Sequence, residues 1–395
     1  MANMTDQELR DLMPKEAPSK EDARNKNSEE IIPTTTRRLM IIGCGDGGCN
    51  IATTIARKIP DESFVIAYNT STRNVDDIVA DMHIFPVAED GSGKERDYSK
   101  NVFKQNAFKK LLDKVQEILA ELADIAYILI CTTTDGGTGS GISPMAAKLL
   151  SDNTDVPVIL MGVYPSMDED ATSQYNALQW QSEVDKIQLP YFILDNNQPG
   201  MRKPLVHEAV NNQAALIASL LAGKEFGNSN ISIIDNRNLY MLLVQLGGRL
   251  IAGVETARPT ASQSLDEYVM NILQNDYQPD PVGTRGIGIF VRGPKDMLDK
   301  MDTSLPEVQK KYGNAVLHFA HIEEDPSPKI AILMTGNAEN SQRITEMKVR
   351  YDDIMQALKN RTSVLGDVLS STSNPIGNTF KKKPNSEMDT SALEL

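Results

Sequence analysis

Residues Gly136, Gly137, Thr138, Gly139, Ser140 and Gly141 put four glycines and two hydroxyls into six consecutive positions. They sit between an apolar run at 125–131 and a helical pattern at 142–150. Glycines let backbone N–H groups converge and leave room for a bulky anion, and a following helix adds oriented donors and a partial positive charge. The chemistry implied is phosphate binding. A second unit repeats the arrangement: a strand pattern at 38–42, then Gly43, Cys44, Gly45, Asp46, Gly47, Gly48, Cys49 and Asn50, then a helical pattern at 51–57. Two strand–glycine–helix units predict two phosphate contacts. Between them, the strand pattern at 63–68 ends in Asn69, Thr70, Ser71 and Thr72, and Gly91 to Asp97 carries Gly93, Lys94 and Arg96. Those two cations either meet a terminal phosphate or belong to a solvated charged loop.

Two common nucleotide modules fit poorly. Gly43, Gly45 and Gly48 satisfy the spacing of a dinucleotide fingerprint, but the second strand ends in Asn69 and Thr70 where an acid would hold the ribose. Gly93-Lys94 is followed by Glu95, and Ala88 stands where a Walker loop has its leading glycine.

Taken together, the 43–50 loop, Asn69-Thr70 and the 136–141 hexapeptide resemble the tubulin/FtsZ superfamily of polymerising GTPases, over about residues 38 to 350. The resemblance extends to Asp195, Asn196 and Asn197 after the strand pattern at 191–194, and to Asn211 in the helix pattern 205–221. It implies GTP or GDP as the bound nucleotide, with Mg2+. It also implies contacts from Gly45, Asp46, Gly47, Gly48, Asn50, Asn69, Thr70, Gly93, Lys94, Arg96, Gly136, Gly137, Thr138, Gly139, Ser140, Asp168, Asn196 and Asn211. An asparagine side chain offers a base edge both a donor and an acceptor; the same groups also serve turns and caps. Asp46 and Cys49 stand where bacterial division proteins usually have glycine, and Ser71 where they commonly have an acid. Asp46 beside phosphates must point away or meet the metal.

The resemblance further implies an active site completed between subunits, with acidic groups of one subunit orienting water at the nucleotide of the next. The matching stretch, 231–239, has Asp235 at the first acidic position and Asn238 at the second. An amide orients water but cannot accept a proton as a carboxylate does, which makes the hydrolysis rate the open quantity. Asp235 also suits a helix N-cap.

The elements that must position these residues follow from patterning. A chain of 395 residues with 40% hydrophobic content supports two cores. Alternating strand and helix patterns over 34–204 predict a parallel-sheet, Rossmann-like α/β domain; 205–226 reads as a central helix, and 227–360 as a smaller α+β domain. Within these, 102–122 reads as one amphipathic helix with Phe108, Leu111, Leu112, Val115, Ile118, Leu119 and Leu122 on its core face. Strands are expected at 286–291, 315–322 and 329–335, a helix near 294–301, and a terminal helix at 340–359. Residues 1–33 and 361–395 are polar and Pro- or Ser-containing, read as flexible extensions; the second carries Lys381, Lys382 and Lys383, either a docking segment or an inert tail.

Function classes are narrowed by charge and composition. A net charge of −14 argues against direct nucleic-acid binding, so a role on DNA would need a basic adaptor. No apolar run approaches a membrane span, and three cysteines clustered near the glycine loops suit a reduced, cytoplasmic compartment. His318 and His321 are three apart in a strand pattern and point to opposite faces, which disfavours a metal site. The nearest flavour is the divergent plasmid- or phage-encoded tubulin homologues: head-to-tail filaments that position DNA or phage particles through an adaptor. Cell-division and cell-shape GTPases are the alternatives within the superfamily, and an NAD-dependent oxidoreductase the alternative outside it.

Overall fold

Strands with apolar side chains at every position must be covered on both faces. Residues 39–42 obey this by alternation: Leu39 and Ile41 pack into one core with Ile51 and Ile55, whereas Met40 and Ile42 pack into a second with Leu111 and Ile142. The computed structural model describes residues 37–371 apart from 74, 87–90, 199, 225–235, 256–263, 276–282, 295–304, 314, 324–328 and 338–340. The first half runs β1 (Arg38–Cys44), α1 (Gly45–Lys58), β2 (Ser63–Tyr68), β3 (Met82–Ile84), α2 (Arg96–Val102), α3 (Phe108–Glu121), β4 (Ile125–Thr133), α4 (Thr138–Asn153), β5 (Val158–Tyr164), α5 (Ala171–Ile187) and β6 (Tyr191–Asp195). Then follow α6 (Lys203–Leu221), α7 (Asn236–Tyr240), β7 (Arg249–Glu255), α8 (Leu265–Asn275), β8 (Gly286–Gly293), α9 (Pro306–Lys311), β9 (Val316–Glu323), β10 (Lys329–Asn337) and α10 (Ser341–Ser371).

The strands form one sheet in the order β3-β2-β1-β4-β5-β6-β7-β10-β8-β9. From β3 to β6 all pairings are parallel, the doubly wound arrangement expected from the βα alternation. β6 and β7 join through only two residue pairs, Tyr191 with Arg249 and Phe192 with Leu250, and β10 then lies antiparallel to β7 and β8. The face carrying α1 and α6 continues beneath both halves, since Val206 and Ile217 share a core with Leu243, Leu250 and Leu333. A separate core gathers Val269, Leu273, Ile289, Val308 and Ile332 around α8 and α9.

Several elements differ from the sequence expectation. Both glycine-loop helices begin inside the motifs, at Gly45 and Thr138, because glycine accepts the tight first turn. The 102–122 helix is two helices joined by a π-turn, Phe103–Ala107. That inserted turn rotates the register, so Phe103 is fully buried and Phe108 is 39% exposed. The central helix starts at Lys203, with Pro204 in its first turn where a missing N–H costs nothing. The terminal helix runs to Ser371, past the boundary drawn at 360. β7, α8 and α9 carried no sequence assignment, and the helix expected near 294–301 falls outside the described residues beyond Pro294.

Gly162 in β5 faces Trp180 of α5, and a Cβ there would lie 2.5 Å from the indole Cη2. The indole is fully buried and its Nε1 donates to Ser143 Oγ at 2.9 Å, so the ring cannot retreat. Gly162→Ala is expected to lower unfolding stability by about 1–3 kcal/mol through overpacking. Urea denaturation followed by the emission of Trp180, the only tryptophan, measures it; an unchanged midpoint would contradict this packing.

Candidate functional site

β1 and β4 are neighbours, and the chain winds outward from them in opposite directions. Ligands bind at such a switch point, beyond the carboxyl ends of the strands. Both glycine segments emerge there and their backbones touch. A Cβ on Gly45, whose φ is +72°, would lie 2.9 Å from the Gly139 nitrogen; one on Gly139 would lie 2.5 Å from the Cys44 carbonyl, and one on Gly48 2.3 Å from the Cys131 carbonyl. The N-terminal turns of α1 and α4 therefore start side by side, each presenting N–H groups without helical partners.

Hydroxyls and amides tie the remaining loops to this pair. Thr70 Oγ1 and Thr138 Oγ1 are hydrogen-bonded at 2.7 Å, and Thr138 Oγ1 donates to Ser92 Oγ at 3.1 Å. Asn69 Nδ2 donates to Asp46 Oδ1 at 2.6 Å, so the exposed carboxylate of the first loop has an amide partner. The 91–95 segment lies over the second loop: a Cβ on Gly137 would meet Ser92 Oγ at 2.3 Å. Gly136 is different, since a Cβ there meets nothing within 4 Å.

Lys94 and Arg96, read from the sequence either as phosphate contacts or as part of a solvated charged loop, both have protein partners. Arg96, 7% exposed, donates from Nη2 to the Ser140 carbonyl at 2.9 Å and to Glu183 Oε2 at 2.8 Å. Burial lowers its pKa from the usual arginine value, and the charge of Glu183 works against that. It braces the second glycine loop at Ser140. Lys94 Nζ donates to Asp170 Oδ2 at 2.8 Å and Ser173 Oγ at 2.7 Å, tying its loop to the start of α5. Lys94 holds a left-handed backbone (φ +67°), an unfavourable state for a side-chain-bearing residue. Asn176 of α5 stabilises it, donating from Nδ2 to the Lys94 and Asp135 carbonyls, each at 3.0 Å, and to Gly136 O at 3.4 Å. Asn176 was absent from the sequence reading because only the fold brings residues 94, 135 and 176 together.

Beyond β5 and β6, at the same edge of the sheet, is a cavity of about 300 Å³. It is lined by Ser166, Asp168, Glu169, Asn196, Asn197, Gln198, Gly200, Met201, Lys203, Val206 and His207. Asp168 and Asn196 are thus brought to one place. Asn196 Oδ1 is shut off from solvent and has no hydrogen-bond partner among the described residues. Asn211 is not among the lining residues. It lies in mid-helix one turn beyond His207, and the α6 wall is made by Lys203, Val206 and His207. The i, i+4 spacing of 203, 207 and 211 was the available signal for the first two.

Asp235 lies outside the described residues. Asn238 is half-buried in the short helix α7, which begins at Asn236. Cys44, Cys49 and Cys131 are free and buried. Burial and the neighbouring thiols push the Cys44 thiol up, burial does the same to Cys131, and burial with the charge of Asp46 pushes Cys49 up to about 12, so all three are neutral packing groups. Among the described residues no three His, Cys, Asp or Glu gather as metal ligands, and no helix is long and apolar enough to cross a membrane.

Two helix N-termini meeting at a switch point beside a polar cavity belong to a doubly wound α/β fold whose strand ends suit an anionic ligand. Residues 38–198 match the model described as Tubulin/FtsZ family, GTPase domain. The tubulin-like protein CetZ2 of Haloferax volcanii is 22% identical over 338 residues, covering 79% of this chain and 92% of the relative. TubZ of Clostridium botulinum C phage is 27% identical over 171 residues, 41% of this chain and 46% of the relative. In fold, the chain is similar to a GTPγS-form protofilament of TubZ from Bacillus thuringiensis serovar israelensis, with a TM-score of 0.67 at 17% identity, over 82% of this chain and 94% of that one.

Asn176→Ala leaves two or three carbonyls without their donor and frees the strained Lys94 turn. An expected loss of about 1–3 kcal/mol follows from leaving buried polar groups unsatisfied. Chemical denaturation measures it, and Asn176→Asp, which sets a carboxylate against the same carbonyl oxygens, is expected to lose more.

Proposed function

We propose that the chain binds GTP at the switch point and assembles head to tail into filaments, with hydrolysis completed between subunits. The observation that carries the nucleotide is the backbone contact of the two glycine loops, which sets two helix N-termini toward one anion. The unmatched acceptor of Asn196 supports a base with hydrogen-bond donors in the adjoining cavity. Gly45, Gly47, Gly48, Asn50, Gly136, Gly137, Thr138, Gly139 and Ser140 surround the phosphates in this reading. Asn69, Thr70 and Gly93 border them, Lys94 and Arg96 fasten the loops, and Asp168, Asn196 and Asn211 serve the ribose and base. Mg2+ commonly takes only one or two carboxylates, the remainder being phosphate oxygens and water, so Asp46 in the first glycine loop suits it.

Self-association is supported by the TubZ protofilament to which the fold is similar. In the filament, Asp235 of one subunit orients water at the next subunit's nucleotide, and Asn238 assists through its carbonyl. The cargo is DNA or a phage particle reached through an adaptor, a reading supported by the likeness to phage-encoded TubZ. The second reading is a cell-division or cell-shape GTPase of the same superfamily. Co-sedimentation of filaments with DNA, with and without basic host proteins, separates the two.

The nucleotide assignment is tested at Gly136, where an added methyl meets no protein atom. Gly136→Ala is expected to fold within about 0.5 kcal/mol of the parent, as substitutions without contacts do, yet to bind GTP at least tenfold more weakly by calorimetry. Parent-like GTP affinity, or NAD bound in preference to GTP, would sink the assignment.

Asp235→Ala is expected to keep GTP binding and first assembly while turnover per assembled subunit falls about 100- to 10,000-fold, the usual effect of losing a proton-handling or water-orienting group. Mixing it with Gly136→Ala pairs an intact pocket with an intact Asp235, and turnover should partly return. Undiminished turnover in Asp235→Ala filaments would refute catalysis across the contact.

A further inference from the structure

One guanidinium from far outside the matched segment fastens both loops that wall the cavity. Arg343, at the start of α10, is 5% exposed. Its Nε donates to Asp195 Oδ2 at 2.6 Å and its Nη2 to Asp195 Oδ1 at 3.3 Å. The same Nη2 donates to the Pro165 carbonyl at 2.5 Å, and Nη1 reaches Met167 Sδ. Asp195 ends β6 and immediately precedes Asn196; Pro165 and Met167 bracket Ser166. Arg343 therefore grips the last residue before one wall and both neighbours of a residue in the other.

The two walls are also tied to each other. Asn197 N donates to Asp195 Oδ1 at 2.8 Å, and Met167 N donates to Asn197 Oδ1 at 3.2 Å. Seven residues along α10, Arg350 Nε donates to the Met167 carbonyl at 2.9 Å. A largely buried carboxylate such as Asp195 requires a counter-charge, and the planar fork of arginine satisfies it while also reaching a carbonyl on a different strand end. A lysine has a point charge and cannot hold both in fixed geometry.

We propose that Arg343 is a positioning residue for the nucleotide base: through it, α10 sets the spacing between the Ser166 and Asn196 walls of the cavity. This rests on the reading of that cavity as the base site. Coupling between two events is reciprocal, so a base that holds the walls in register also holds α10 down, and a partner that displaces α10 lowers nucleotide affinity.

Calorimetric titration of the full chain with GTP and with ATP tests this, because the two share phosphates and ribose and differ at the base. The unaltered chain should prefer GTP; equal affinities there would overturn the base-site reading itself, before any variant is made. Arg343→Ala should narrow the GTP-over-ATP preference at least tenfold, and Arg343→Lys should fall between it and the parent. Asp195→Asn should narrow it likewise. A preference unchanged in Arg343→Ala, or both nucleotides weakened by the same factor, would show that Arg343 only stabilises the fold and would overturn the proposal. If Arg343→Ala does not fold, the same ratio in Arg343→Lys and Asp195→Asn decides. Hydrogen exchange of 343–350 should slow on GTP binding; an unchanged rate would overturn the coupling to α10.

Discussion

The fold turns on a contact that only glycine permits: the backbone of one strand–helix turn lying against the backbone of another. With Gly45 against Gly139 and Gly48 against the Cys131 carbonyl, α1 and α4 can both start at the end of the β1–β4 pair. A single methyl at 2.3–2.9 Å from backbone atoms would push one helix off the sheet, and with it the alignment of its N–H groups. The parallel order of the first six strands follows the same logic. β1 and β4 must be adjacent for the loops to meet, and the remaining strands are then laid outward on either side.

Around that contact the structure uses buried polar side chains as braces. Arg96 with Glu183, Asn176 with three carbonyls, and Arg343 with Asp195 each take a charged or amide group out of water and match it completely enough to hold a loop. Such pairs contribute little net stability, because desolvation offsets the attraction, but removing one partner leaves the other stranded at a cost of about 3–5 kcal/mol for a buried ion pair. Their effect is to select one loop geometry. It is consistent with this role that all three fasten loops at the carboxyl edge of the sheet.

At the β6–β7 junction the second half of the chain is tied to the first by a short ladder and much apolar surface. Two residue pairs join β6 to β7, whereas the core beneath α1 and α6 continues to Leu250 and Leu333. Apolar contact is non-directional and tolerates small sliding, unlike a continuous ladder. α10 adds a directional link, reaching back from the end of the described chain to the cavity.

Much of this was legible in the sequence. The paired glycine segments, the apolar strand runs before them and the 3.6-residue patterns after them are local signals, and glycine at a close approach is a residue type that little else can replace. The parallel α/β class followed from their alternation. Asp168 and Asn196 were named only through the family resemblance. What only the tertiary structure decided was where long polar side chains go. Lys94 and Arg96 look alike in sequence to any pair of cations beside a phosphate loop, yet both extend to α5, and Asn176 and Arg343 carry no local signal at all. The π-turn that exchanges Phe103 for Phe108 in the core and the extension of α10 to Ser371 were hidden for a related reason. Periodicity reports which face is apolar, but helix register and length are settled by what the rest of the fold sets against that face.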